Sequence, residues 1–360
     1  MFTYFWKLDG FFMQRARSKE IREFILGKID IHPSDISAVV AGAFGISRQA
    51  ASRHVQHLVK SGAIGTIGKG RCVKYRLKEI ESKWYHFSLE TALEEDIVWA
   101  TYVKPIIAPF AGANTYDILN YGFTEIFNNV LDHSEGRTVK VNILIYANKI
   151  KLRVRDDGIG VFKKIQGHFS LEDPRHALLE LAKGKITSDP ERHTGEGIFF
   201  ASRMFDCFIM WSDFLSYIRY SDDDWLLEDR KTKWNGTNVT MEIQYDTNKT
   251  TTEVFEKYAG EAGDYGFTRT HVPVNLALYE GETLVSRSQA KRVLARVDRF
   301  REVWLDFKDV KNIGPAFADE IFRVFAKAHP NIRLFWENAN PMVEKMIARA
   351  LSNSPVLPTN

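Results

Sequence analysis

The chain has 360 residues, a length that suggests two or three domains, each able to bury a core of its own. Hydrophobic residues make up 44% and charged residues 26%, which excludes a disordered or fibrous chain. Two cysteines, Cys72 and Cys207, exclude a disulfide framework or, by themselves, a zinc site. They fit a reducing, cytoplasmic compartment. No apolar run approaches the ~18–20 residues of a membrane span, so no membrane association is expected.

The net charge of +3 is unevenly spread. From Ile36 to Lys78 there is no Asp or Glu, while Arg48, Arg53, Lys60, Lys69, Arg71, Lys74, Arg76 and Lys78 contribute eight positive charges. Taking 8 from +3 leaves the remainder near −5. A basic module attached to a mildly acidic body is the expectation.

The first thirteen residues are aromatic (Phe2, Tyr4, Phe5, Trp6, Phe11, Phe12) and broken by Lys7 and Asp9. No small-residue cleavage site follows, which argues against a signal peptide. The stretch reads as an arm packed on another domain or on a second subunit, which admits a homodimer. Arg15 to Leu26 predicts a helix with Ile21, Phe24, Ile25 and Ile29 as its stripe. Pro33-Ser34-Asp35 opens Ile36 to Ala41, Phe44-Gly45-Ile46 turns the chain, and Ser47 caps a helix from Arg48 to Lys60. Two short strands follow, Ile64–Ile67 and Val73–Leu77, joined by Gly68-Lys69-Gly70-Arg71. Helix, turn, helix and basic hairpin resemble a winged helix-turn-helix domain from about Arg15 to Lys78.

That resemblance implies double-stranded DNA as a partner. Ser47, Arg48, Gln49, Ser52 and Arg53 on the leading edge of the second helix would reach base edges and phosphates, and Lys69 and Arg71 at the wing tip would meet backbone phosphates. The competing reading, a protein-contact module with merely solvated charges, is disfavoured by the absence of acid along the face. Residues 81–95, with Trp84, Tyr85 and Phe87, read as a charged connector, a short helix or linker.

In the middle of the chain, Asp117 to His133 predicts an amphipathic helix that aligns Glu125, Asn129 and His133 on one side. Two alternating strands follow, Thr138–Tyr146 and Ile150–Arg155, and the second delivers Asp156-Asp157-Gly158-Ile159-Gly160. Residues Val161 to His193 are polar and read as a mobile lid. Gly195-Glu196-Gly197 then opens a helix to Phe205, whose free N–H groups and dipole suit phosphate. Gly236-Thr237 leads into a strand from Asn238 to Gln244.

This ordered set resembles the nucleotide-binding (GHKL-type) domain shared by gyrase, the heat-shock chaperone, histidine kinases and mismatch-repair ATPases, over about Ala92 to Tyr245. Its nearest flavour is the anti-sigma-factor serine-kinase branch, through Gly195-Glu196-Gly197-Ile198-Phe199-Phe200 and Met204-Phe205-Asp206. The resemblance implies ATP and Mg²⁺ as cofactors. Asp156 would accept the adenine amino group, Gly158 and Gly160 would pass beneath base and sugar, and Asn129 would ligate Mg²⁺. His133 would lie on the phosphate side, Gly195 and Gly197 would cradle phosphate, and Thr237 would support Asp156 or an adenine-bound water. Glu125 would be the general base. No basic lid residue for the γ-phosphate is assignable from the sequence.

After a hinge-like polar run, Thr247 to Thr252, strands and helices alternate: a helix from Glu253 to Gly263, a strand Val272–Leu278, a helix Ser286–Phe300, and a strand Val303–Phe307. A helix Ala316–Ala328, a strand Ile332–Trp336 and a helix Pro341–Leu351 complete the series. Val303-x-Leu305-Asp306-Phe307, Val310 and Ile313-Gly314 resemble the anti-sigma-factor antagonist (STAS-like) fold over about Phe255 to Ser352. In the antagonists a Ser at the start of the following helix accepts phosphate. Here Gly314-Pro315-Ala316 stands there, so phosphorylation in cis is excluded at that place and a protein partner or ligand is expected instead.

The expected fold class is therefore α+β and multidomain: winged helix with arm (1–80), connector (81–95), α/β-sandwich nucleotide-binding domain (96–250) and small STAS-like α/β domain (251–360). The expected function is an ATP-binding, DNA-binding regulator switched by Mg-ATP. The alternative is a protein serine/threonine kinase of anti-sigma-factor type acting on a partner in trans.

Overall fold

The structure, a computed structural model, describes residues 17–68, 70–186, 195–220, 223–228, 231–259, 266–278 and 282–352; for Arg71 and residues 225–228 it describes the backbone alone. The aromatic arm lies outside these residues. The chain is mixed α+β and multidomain, as its sequence pattern predicts.

Helices over 17–28, Ile36–Phe44 and Arg48–Lys60 lead into an antiparallel hairpin of β1 (Ile64–Ile67) and β2 (Lys74–Leu77). Ser47 is extended, and its Oγ accepts the Ala50 N–H at 3.1 Å. Such a cap stabilises a helix by about 1 kcal/mol. Ile21, Ile25, Val40, Val55 and Leu58 form a core that also takes in Leu144 and Tyr146 from the middle of the chain. Lys149 clamps this docking by donating to Asp30 at 2.8 Å and to Glu242 at 2.7 Å.

The centre is a seven-stranded antiparallel sheet made of β3 (Glu81–Ser88), β4 (Thr138–Ile145), β5 (Lys149–Asp156), β6 (Cys207–Asp213), β7 (Leu215–Tyr220), β8 (Asp223–Glu228) and β9 (Trp234–Gln244). Its order is β3-β4-β5-β9-β6-β7-β8. One face carries Val141, Ile143, Leu152, Val154, Phe208, Met210 and Met241, all buried. Against it lies helix Ala113–His133, which buries Ile118, Phe123, Ile126, Phe127 and Val130.

Two expectations change here. The segment expected as a connector supplies an edge strand, β3, whose Tyr85 and Phe87 turn inward onto Tyr102 and Phe127, with ring centroids 5.0 and 6.3 Å apart. Its period-2 alternation is carried by aromatics between charged residues, so it reads locally as a polar linker. The lid expected from Val161 is helical where described: Val161–His168, then His176–Lys183, whose eight residues are all buried. Ala177, Leu178, Leu179, Leu181 and Ala182 wedge this second helix between the central unit and the C-terminal one.

The C-terminal unit is a parallel sheet, order β10 (Arg269–Pro273), β11 (Glu302–Asp306), β12 (Arg333–Glu337), flanked by helices Arg287–Leu294, 315–328 and Pro341–Ser352. The strand expected at Val272–Leu278 lies earlier, because the chain turns into a 3₁₀ segment at Val274–Ala277. The helix expected from Ser286 to Phe300 ends at Leu294, and Arg296 adopts a left-handed backbone (φ 58°). The expected hinge is tied down instead: Asn114 Nδ2 donates to the Thr247 carbonyl at 3.1 Å, and Thr250 forms a capping box with Glu253. An aromatic cluster of Phe199, Phe200, Tyr258 and Phe267 joins the central and C-terminal cores into one (Phe199–Phe267, 4.5 Å).

Candidate functional site

A cleft of about 340 Å³ opens between helix Ala113–His133, the end of β5, the Val161–His168 helix and the start of helix Gly197–Met204. It is lined by Glu125, Asn129, His133, Asp156, Gly160, Gly195, Gly197 and Thr237, residues from four separate sequence motifs. Gly158 is not in the lining; it lies one layer behind, where its N–H donates to Asp156 Oδ1 at 2.8 Å.

Asp156 ends β5 with 3% of its surface exposed. Its Oδ1 accepts the Gly158 and Thr237 N–H groups, at 2.8 and 3.1 Å. Burial pushes its pKa above the usual carboxylate value, and those backbone hydrogen bonds oppose the rise. Thr237 Oγ1 accepts the Val161 N–H at 3.0 Å, so Thr237 joins β9 to the lid helix and supports Asp156 through its backbone. Neighbouring Asp157 instead ties β5 to the start of β4, accepting the Arg137 and Thr138 N–H groups at 2.8 and 2.9 Å. Burial opposes its ionisation, but these hydrogen bonds outweigh it and hold its pKa down.

Two glycines stand at close approaches, Gly158 against backbone and Gly197 against a side chain. A Cβ on Gly158 would stand 1.9 Å from the Ser134 carbonyl oxygen. One on Gly197 would stand 1.9 Å from Glu125 Oε2, so the Glu125 carboxylate lies against the first turn of helix Gly197–Met204, its positive end. Tyr121, on the same helix as Glu125, has its pKa pushed far up by burial and then by Glu125 and Glu196, which keeps its hydroxyl a donor. Glu196 is itself raised by burial.

Asn129 Nδ2 donates to the Glu125 carbonyl at 2.6 Å, which leaves Oδ1 as the amide's atom for a cation. Oxygen donors of this kind suit a hard divalent ion. Lys164, a basic residue of the expected lid that the sequence does not assign to the site, lines the cleft and donates to the His133 carbonyl at 2.7 Å and to Glu135 at 3.1 Å. Its signal is its place: the first turn of a helix opened by Asp-x-Gly-x-Gly, four residues beyond Gly160.

On the winged helix, Arg48, Gln49 and Arg53 are exposed, Ser52 is half-buried, and Ser47 is exposed as the cap. Gln49, Ser52 and Arg53 share a shallow groove with Gln56, His57 and Lys60, three residues the sequence reading leaves out although helical spacing places them on the same face. Lys69 lies outside the described residues, and Arg71 is described only in its backbone, within a 3₁₀ turn Gly70–Cys72.

The lid is fastened to the C-terminal unit. Lys183, 1% exposed, donates to Glu180 at 2.9 Å and to the Ala295 and Arg292 carbonyls at 2.8 and 3.2 Å. Arg296 donates to Glu180 at 2.8 Å, Thr270 Oγ1 donates to the Lys183 carbonyl at 2.7 Å, and Arg299 donates to the Lys185 carbonyl at 2.7 Å. Past Lys185 and a stretch outside the described residues comes Gly195 of the cleft.

Two family models match segments of the chain. Residues 289–344 match a STAS-like domain of unknown function (DUF4325), across β11 and β12. The C-terminal unit is STAS-like. Residues 26–78 match the C-terminal domain of the DIP2311-like transcriptional regulators, covering helices Ile36–Phe44 and Arg48–Lys60 and the β1–β2 hairpin. No curated protein matches the chain. Among the described residues, no helix is long and apolar enough to cross a membrane.

Proposed function

We propose that the chain is a DNA-binding regulatory protein whose central cleft binds Mg-ATP, and that this binding changes how the winged-helix and STAS-like units are presented. The single observation that carries the reading is the meeting, in one cleft, of a buried acceptor (Asp156), an amide oxygen (Asn129), a carboxylate (Glu125) and a helix opened by glycine (Gly197). Asp156 has Oδ1 engaged by backbone, which leaves Oδ2 as the acceptor for an amino group on a base. Asn129 and His133 would hold Mg²⁺ and phosphate oxygens, the Gly195–Gly197 turn would receive phosphate, and Lys164 would add positive charge. The group bound there would supply an anionic triphosphate and its cation, whose charges attract these residues. Helix Arg48–Lys60 would read duplex DNA through Arg48, Gln49, Ser52 and Arg53, in keeping with the regulator family matched by this segment.

Such a switch requires different nucleotide affinity in two arrangements. The lid supports this, because the helix His176–Lys183 touches the STAS-like unit while the next described stretch, from Gly195, lines the cleft. A protein partner would act through that unit. A trans-acting kinase keeps the same cleft, with Glu125 orienting an external hydroxyl; Lys308–Phe325 offers no Ser, Thr or Tyr of its own. The test of the cleft is ATP binding by calorimetry for wild type and Asp156→Asn, with loss expected in the variant; equal binding would overturn the assignment.

A further inference from the structure

The outer face of the central sheet, opposite the cleft, carries an arrangement that the proposed function does not use. Two cross-strand rows start at Trp84 and His86 on β3 and run across β4, β5, β9 and β6 to Ile218 and Ser216 on β7. They contain Lys140, Arg153 and Arg155 and no Asp or Glu. Lys140 stands directly opposite Arg155 in register, and Arg153 is the next outward residue on the same strand. None of the three has a carboxylate partner among the described residues. Like charges facing each other across strands destabilise a sheet, and no ion pair among the described residues offsets them.

Aromatic side chains stand among these cations. Trp84 is 54% exposed, Arg155 lies over the Trp234 ring at 4.0 Å, and Trp211 stacks on Trp234 at 6.0 Å. Among the described residues, the buried indole N–H groups of Trp211 and Trp234 have no acceptor, and the buried Asn142 Oδ1, between Trp84 and Arg153, has no donor. Cations without a carboxylate partner and an exposed indole, in two neighbouring rows that hold no acid, suit an extended polyanion.

The next row toward the winged helix differs. There Lys151 is paired with Glu242 at 2.5 Å, and Leu144 is buried in the winged-helix core. The basic face thus borders the DNA-reading unit and is fixed to it through the same strand, β4.

We infer that this sheet face, through Lys140, Arg153 and Arg155, is a second contact surface for the phosphate backbone of duplex DNA flanking the segment held by the winged helix. It rests on the DNA-binding reading above. A second copy of the chain packed face to face would set the same three cations against each other, which disfavours that occupant.

The test uses the full chain and mixed-sequence fluorescent duplexes of about 10 and about 30 base pairs, one and three helical turns. Lys140→Gln/Arg153→Gln/Arg155→Gln is expected to bind the long duplex on the order of tenfold more weakly at low salt, with the log–log salt slope reduced by about 2–3. Binding to the short duplex is expected to be unchanged, with unfolding temperature as the control for folding. If the triple variant does not fold, Arg155→Gln alone should still reduce the slope by about 0.9. Wild type that binds neither duplex overturns the DNA reading and this surface with it. Wild type that binds both, with a variant indistinguishable from it, overturns the surface alone. A variant that changes only the oligomeric state, measured by sedimentation, assigns the face to a second copy and likewise overturns the proposal.

Discussion

Asp156 is a buried carboxylate whose Oδ1 is fully employed by Gly158 and Thr237. An amide oxygen can accept the same two N–H groups, so Asp156→Asn keeps the turn while removing a charge that burial disfavours. We expect the variant to be at least as stable as wild type and to lose ATP affinity by about tenfold or more, about 1.4 kcal/mol. Paired thermal melts and calorimetry check both halves. Gly158→Ala is the opposite case: its Cβ meets the Ser134 backbone, and a loss of about 1–3 kcal/mol is expected in urea unfolding. His271 gives a pH signature. Burial, then Arg203, Lys257 and Arg269, depress its pKa to about 4, while it bonds Glu337 at 3.1 Å. In the unfolded chain it titrates near its ordinary value of about 6.5. The unfolded state therefore binds more protons between these values, and stability falls as pH drops from about 6.5 to 4, by roughly 1 kcal/mol per unit. His271→Asn should flatten that slope; an unchanged slope would place the titration elsewhere. At this scale the sequence is readable where residues keep a fixed spacing, as for Glu125, Asn129 and Asp156, which the fold brings to one cleft. Lys164 is not, because only the fold turns its ammonium toward the His133 carbonyl.

At the scale of elements, the helices and strands of the winged unit are legible from capping and alternation, down to the Ser47 cap. Segments that answer to distant partners are not. Helix His176–Lys183 ends in a lysine that is buried only because Ala295 and Arg292 carbonyls from the STAS-like unit receive it. Read locally, a lysine there signals solvent. Strands β7 and β8 escape the sequence reading for a similar reason: Tyr217 and Arg219 face inward, and their polar ends are met there by Asp224 from the next strand, at 2.5 and 2.7 Å. Lys183→Met leaves the Arg296–Glu180 pair in place but removes a donor from two buried carbonyls. A destabilisation of about 1–3 kcal/mol is expected, with faster amide exchange at 176–186. If exchange there is unchanged, the lid is not held by this contact.

For the whole molecule, one apolar core runs from the central sheet through Phe199, Phe200, Tyr258 and Phe267 into the STAS-like unit, while the winged helix has its own core seated on β4. The expected connector and hinge-like run give way to units locked by strand β3, the Lys149–Asp30 pair and the contacts of helix His176–Lys183. Their motifs are visible in the sequence; the docking is not, since it depends on pairs such as Asp30–Lys149, 119 positions apart along the chain. A chain locked in this way can pass a change at the cleft to helix Arg48–Lys60, provided that nucleotide prefers one arrangement. The most direct measurement is duplex-DNA affinity of wild type and Asp156→Asn with and without Mg·ATP. A nucleotide-driven switch predicts a change of about 5-fold or more in wild type, a coupling of about 1 kcal/mol or more, and none in the variant. Equal wild-type affinity in both conditions would contradict it.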